Sequence, residues 1–323
     1  MIININEYIK WLKKCFFCKK QQVIKKGKRN GLTRYFCKNC RKSFTNKRKP
    51  QRLTNKIFNE YFYGKQTLKQ LSNHYKKSVN WVKEQIDNYE IKKRKRNPRK
   101  VIVIGDATFL GKRKYRNQKG VLVFRDNLAK ENLIWKHLHT EKAEDYLQLK
   151  LFLEKKGYQI QAVVIDGKQG VASVFKDMPV QLCQFHQVKT ITTKLTRKPK
   201  LEASIELRKL SLILTNTTED VFKKELSCWY EKWKDFLNEK TLNTETSRQY
   251  FTHKRLRSAY RSLNRNLPYL FTYQKYPKLN IPNTTNSLDG GVFSHMKKLL
   301  KNHNGLRNEL REKLVNDYLN RQD

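Results

Sequence analysis

Past residue 100, the apolar positions of this chain fall into short β-branched runs and one long helical stripe. VIVIGDATF (101–109), GVLVFRDN (120–127) and LIWKHLHT (133–140) predict three strands. EKAEDYLQLKLFLEKKG keeps its apolar residues at helical spacing and stops at Gly157, so it predicts an amphipathic helix. IQAVVIDG then predicts a buried strand, VASVFKDM a helix, and VQLCQFH a further strand. The expected order is strand, strand, strand, helix, strand, helix, strand.

The flanking segments have other periods. LTNKIFNEYFYGKQTLKQLSNHYKKSVNWVKEQIDNY predicts three short helices, with Thr67 placed to cap the one holding Leu68 and Leu71. Ser78 is placed to cap the next, which holds Val79, Val82 and Ile86. Nearer the N-terminus, apolar and basic residues alternate around Asn30-Gly31, a hairpin signal. Residues 197–275 are expected to form an all-helical insertion, including a very basic helix that ends near Pro268. In it, Trp229 and Trp233 are spaced i, i+4, which predicts core packing, with stacking on a nucleic-acid base the lesser reading. TTNSLDGGVFSHMKKLL predicts a last helix opened by Asp289.

Charge decides what such a chain meets. Lys and Arg number 71 against 28 Asp and Glu, a net charge of +43 in 323 residues. That excess predicts a polyanionic partner and strong salt dependence. No apolar run approaches the roughly 20 residues of a membrane span, and the stretch MIININEYIKWLKK reads too charged for a signal peptide. Nucleic acid is the expected partner.

Cys15, Cys18, Cys37 and Cys40 form C-x2-C-x18-C-x2-C. Two such knuckles let four thiolates converge tetrahedrally on one structural Zn²⁺, in a cell compartment that keeps thiols reduced. Chance spacing of buried thiols is the competing reading. In the helical stretch, two short helices across a tight turn match a helix-turn-helix, whose second helix offers Asn80, Trp81 and Lys83 to DNA. A small bundle with a merely wet polar face would look alike. IKKRKRNPRK (91–100) follows, with Lys92, Lys93, Arg94, Lys95 and Arg96 as candidate phosphate contacts, or as a solvated linker.

Asp106, Asp166 and Asp289 stand apart from this basic background. Three separated carboxylates brought together by a fold can hold two divalent ions for phosphoryl transfer. Either strand-end aspartate alone could equally cap a turn. The element order has the layout of an RNase H-like fold, with an acid on the first strand beside an acid at the end of the fourth.

GDATF around Asp106, VVIDG around Asp166, CQFH with Cys183 and His186, TTNSLDGG around Asp289 and the later NHNGLR together carry a resemblance. Their order and spacing resemble bacterial insertion-sequence transposases of the Mutator-like group in the DDE superfamily, along nearly the whole chain. The resemblance implies an α/β protein: an RNase H-like core with an all-helical insertion, preceded by a zinc ribbon and a helix-turn-helix. The implied domains are 1–48 (ribbon), 49–90 (helix-turn-helix), 91–100 (basic linker), 101–196 (core, first part), 197–275 (insertion) and 276–323 (core, second part). It implies Asp106, Asp166 and Asp289 as catalytic ligands of Mg²⁺ or Mn²⁺, cutting transposon ends and joining them to target DNA, with at least a homodimer on double-stranded DNA, at the nucleoid of a prokaryotic cytoplasm.

The family usually carries glutamate where this chain has Asp289. Asp289 is then a working third ligand, an N-terminal acid of a helix capped by Asn286, or the mark of a weakened enzyme; Glu309 and Glu312 are the possible substitutes. Cys183 and His186 offer two ligand types but no second pair, so a structural role stands beside positioning of DNA or the site. Two other functions fit the same chain: a catalytically silent DNA-binding regulator, and a metal-dependent nuclease without strand joining.

Overall fold

The computed structural model describes residues 14–15, 17–29, 32–45, 51–92, 94–110 and 119–322. The Asn30-Gly31 turn, Lys93 and the stretch before Lys14 lie outside the described residues. The chain forms two compact units, Met1–Glu90 and Ile91–Asp323.

In the first unit, β1 (Val23–Arg29), β2 (Leu32–Cys37) and β3 (Ser43–Thr45) make a three-stranded antiparallel sheet in that order. With little apolar area to bury, the sheet is pinned by Tyr35 stacked on Phe44 at 5.8 Å between ring centroids. Three helices follow: α1 (Gln51–Phe62), α2 (Leu68–Tyr75) and α3 (Val79–Asp87). Both expected caps are present. Thr67 Oγ1 accepts from the Gln70 N–H at 3.2 Å, and Ser78 Oγ accepts from the Trp81 N–H at 3.2 Å. Their apolar stripes bury Ile57, Phe58, Phe62, Leu71, Val82 and Ile86 in one small core.

The second unit is built on a five-stranded mixed sheet: β4 (Lys100–Leu110), β5 (Lys119–Asp126), β6 (Glu131–Leu138), β7 (Gln159–Ile165) and β8 (Val180–Leu182). Its order is β6-β5-β4-β7-β8, antiparallel from β6 to β4 and parallel from β4 to β8. A parallel neighbour needs a crossover, and α4 (Ala143–Lys155) supplies it, burying Tyr146, Leu149 and Leu153. Phe124 and Phe175 join them, so the first strand runs expected from sequence lie where periodicity put them.

Several expectations need correction. VASVFKDM forms only a 3-10 turn at Ala172–Phe175. The run VQLCQFH leaves the sheet after Leu182, because Gln184 N–H is diverted to the Asn283 carbonyl at 2.9 Å; α5 (Gln184–Leu195) starts there. The insertion is not all-helical. Between α6 (Glu202–Leu212), α7 (Glu219–Asn238) and α8 (Lys254–Leu270) lies a hairpin of β9 (Lys240–Leu242) and β10 (Gln249–Phe251). Its turn is closed by Asn243 Oδ1, which accepts the N–H groups of Glu245 and Thr246 at 2.9 and 3.0 Å.

The basic helix α8 does end near Pro268, at Leu270, with the proline inside its last turn. The missing proline N–H leaves the Asn264 carbonyl unbonded, and residue 264 is exposed, so water can take that place.

The chain then runs through a π-helical segment, Ser287–Phe293, into α9 (Ser294–Asn302) and α10 (Asn308–Arg321). The Trp229 and Trp233 expectation is met: Trp229 is buried, its indole N–H donating to the Ala203 carbonyl at 3.1 Å, and Trp233 donates to Glu206 at 2.7 Å. No helix among the described residues is long and apolar enough to cross a membrane.

Candidate functional site

Two groups of metal-type side chains emerge, one in each unit. In the first, the turn after β2 and the knuckle at residues 15–18 bring all four cysteine sulfurs within 4.8 Å of one another. Cys15 and Cys40 sulfurs lie 3.5 Å apart, as do those of Cys18 and Cys37, beyond disulfide bonding distance. The Lys20 N–H draws the Cys18 thiol down to about 6. Against the lowering pull of the Lys42 N–H, burial and the other three sulfurs push Cys40 up to about 11. Four sulfurs packed so closely cannot all ionise without a cation among them. The cluster is compatible with zinc.

The second group is assembled by strand register. Gly105 of β4 pairs with Ile165 of the parallel β7. The next residues, Asp106 in β4 and Asp166 just past the end of β7, therefore leave that last pair side by side, close enough for the Asp166 charge to bear on Asp106. Asp106 is buried, and its Oδ1 accepts the Ala107 N–H at 2.8 Å; half-buried Asp166 accepts the Lys168 N–H at 3.1 Å. The second bond is the turn-capping role open to any strand-end aspartate. It leaves the other carboxylate oxygen available.

Asp289 arrives from the π-helical segment, which packs against β4. Asn286 makes no side-chain cap there, so the capping reading of this segment is not met. His186 reaches Asp289, Nε2 to Oδ2, at 3.9 Å. The same His186 lies 3.3 Å from the Thr285 hydroxyl through Nδ1, and Thr285 N–H and Oγ1 both point at the Cys183 sulfur, at 3.3 and 3.5 Å. Cys183 and His186 thus tie the start of α5 to the stretch of chain that carries Asp289.

Burial raises Asp106 to about 7; His186 opposes that shift, while Asp166 and Asp289 add to it. His186 is raised to about 9, by Cys183 first and by Asp106 and Asp166 after it. No lysine or arginine among the described residues ion-pairs with any of the three aspartates. The three carboxylates, their charge offset in part by His186, offer hard oxygen donors of the kind Mg²⁺ or Mn²⁺ takes. The three are less tightly drawn than the cysteines: the four-cysteine cluster is the one group among the described residues whose ligand atoms all fall within 4.8 Å.

One acid was missed from sequence. Glu141, in the turn before α4, has its carboxyl raised by burial and then by the charge of Asp166, and accepts from the Tyr146 hydroxyl at 2.8 Å. EKAED reads as an exposed helix start, and no local signal marks its first residue. The two substitutes named for Asp289 are engaged elsewhere. Glu312 pairs with Lys119 at 2.5 Å, and Glu309 is almost fully exposed, 3.9 Å from Arg307.

The candidate DNA contacts split. Asn80 and Lys83 are exposed on α3, while Trp81 is half-buried with its ring 6.3 Å from that of Tyr75. Lys92, Arg94 and Lys95 are exposed. Arg96 is not: its side chain is largely covered and meets Glu131 at 3.0 Å. Arg99 meets Asp126 at 2.7 Å and Glu131 at 2.8 Å, so the end of the basic run is fastened to the edge of the sheet.

No family model matches the chain, and no curated protein matches it. Among solved structures it is similar to a chain of the simian T-cell lymphotropic virus intasome in complex with PP2A regulatory subunit B56 gamma. The identity is 12%, over 64% of this chain and 68% of that one, with a TM-score of 0.22. A likeness that slight carries nothing about function.

Proposed function

We propose that the protein is a DNA transposase of the Mutator-like, DDE type, cutting and joining DNA at Asp106, Asp166 and Asp289. The reading is carried by the β4–β7 register, whose last pair, Gly105 and Ile165, is followed directly by Asp106 and Asp166, and by the packing of the Asp289 segment against β4. The sheet order β6-β5-β4-β7-β8, antiparallel then parallel, supports the RNase H-like reading of the core. Zinc in the cysteine cluster would hold the ribbon together, and the exposed face of α3 would read double-stranded DNA. Two transposon ends would need at least a homodimer.

In this reading, Asp106, Asp166 and Asp289 would hold the divalent ions, which would supply activation of the attacking oxygen and stabilisation of the leaving one. Asp106 must give up its proton to do so. Burial and the neighbouring acids make that release easy near neutrality only when positive charge arrives. His186 orients Asp289 and offsets part of its charge. Glu141 lies beside Asp166 and adds to the negative field.

The test is Mg²⁺- or Mn²⁺-dependent cleavage and joining of the DNA ends flanking the gene. Asp166→Asn keeps the turn hydrogen bond and removes the charge; we expect a loss of roughly a thousandfold or more in joined product. Asp289→Ala should match it, whereas Glu309→Gln should change nothing. Cleavage that survives Asp166→Asn would sink the reading. Cleavage without any joined product would favour the nuclease, and specific binding without cleavage the regulator.

A further inference from the structure

A basic cleft of about 610 Å³ opens directly beside Asp166, between α5 and α8. On α8, Lys254, Arg257, Arg261 and Arg265 are spaced three, four and four residues apart, so they share one helical face. The opposite face, with Leu256, Ala259, Leu263 and Leu267, is buried. Four cations are therefore presented in a row by a helix whose other side is fixed in the core.

None of the four has a carboxylate partner among the described residues. Arg257 donates instead to the Leu237 carbonyl at 2.7 Å and to Asn238 Oδ1 at 2.8 Å, which aims it rather than neutralises it. The floor is polar and tied: Asn266 donates to Gln187 at 2.8 Å, and Gln187 to Ser262 at 3.2 Å. At the far end sits the Phe251 ring from β10, with the Arg257 guanidinium 3.5 Å from its centroid.

We infer that this cleft binds a single DNA strand running from the reacting phosphate at Asp166 along α8 to Phe251. A row of cations following the backbone, ending in the guanidinium of Arg257 stacked on Phe251 as a flat surface for a base, is the chemistry of single-strand recognition. Lys254 to Arg265 spans about 16 Å of helix, room for about five nucleotides at B-form spacing. The inference leans on the proposed function for what happens at Asp166, but not for binding.

The test is fluorescence anisotropy of a labelled single-stranded oligonucleotide with the full chain, without divalent metal, across a salt series. Arg261 and Arg265 are both exposed and unpaired with acids, so Arg261→Gln/Arg265→Gln should fold normally. We expect roughly tenfold weaker single-strand binding and a salt slope shallower by about 1.4, the equivalent of two phosphates no longer neutralised. The Arg→Lys double variant should restore the slope. Blunt duplex, held by α3 in the other unit, should bind the variant as well as it binds the parent. A 5-iodouracil oligonucleotide should cross-link to the peptide containing Phe251. Unchanged single-strand affinity, or an equal loss for blunt duplex, overturns the inference. Because the binding assay holds no divalent metal, loss of cleavage in Asp166→Asn and loss of binding here fail or hold separately.

Discussion

The cysteine cluster and the aspartate site both gather like-charged ligands, but in opposite ways. The cysteines come from two knuckles of one small ribbon, and their sulfurs crowd within 4.8 Å. The aspartates come from two strands and a distant helical turn, rest on a large core, and stay farther apart. A closed four-sulfur set has no place for a substrate, and the ribbon around it has little else to hold it. An open oxygen set on a rigid sheet leaves positions free and does not need the ion to fold. One geometry suits structure; the other suits chemistry.

The largest test of this contrast is removal of one sulfur from the cluster by Cys37→Ser. Structural zinc in small domains is worth roughly 10–16 kcal/mol, so hydrogen exchange should show the β1–β3 sheet unprotected while the five-stranded sheet keeps its protection. Zinc analysis should find the metal lost. Slow exchange persisting in the ribbon would mean that the cysteines are ordinary core thiols.

A smaller effect should appear at the aspartates, with pH as the probe. Asp106 is raised to about 7 in the fold, so the fold holds its proton more tightly than the unfolded chain does. Its contribution is full below the ordinary carboxylate value and disappears as pH rises through 7. His186, raised to about 9, gives a contribution that is full below its ordinary value of 6.5 and disappears as pH rises through 9. Without added Mg²⁺ or Mn²⁺, thermal melts of the second unit should therefore weaken steadily from pH 5 to 9, on the order of a few kcal/mol in all. Asp106→Asn should flatten the lower half of that slope and shrink the upper half, because Asp106 is one of the charges that raise His186. A metal-free melt insensitive to pH would remove the charge crowding on which the open-site reading depends.

The smallest effect belongs to the brace. Thr285→Val deletes the hydroxyl that meets both His186 and Cys183. A stability cost of about 1 kcal/mol is expected, together with weaker Mg²⁺ dependence as Asp289 loses its alignment. Equal stability loss with an unchanged metal titration would make the brace purely structural.

Sequence periodicity was enough for β4 to β7 and for the caps at Thr67 and Ser78, because each depends on residues within one turn or one strand. It also brought Asp106 and Asp166 forward, since both close apolar runs. The β9–β10 hairpin was hidden because three-residue strands leave no alternation to read. Glu141 and the fastening of Arg96 were hidden for another reason: both depend on partners far away in the chain, Asp166 and Glu131. The role of α8 was half visible. Its charge was plain, but which face was free became clear only with the buried side fixed.

The π-helical turn at Ser287–Phe293 is also a store of one residue of chain length. It takes up one residue more than an α-helical turn would, and Gly290, whose added Cβ would meet nothing within 4 Å, sits in its open side. Deleting Gly290 would remove that surplus and let the turn relax to α geometry, with the following helix kept in phase. Phe293 and Met296, both buried, would stay on the core, and the change would fall on the turn that carries Asp289. The segment thus confines a change of one residue in count to the neighbourhood of position 289 and spares the helix that runs on to Asn302.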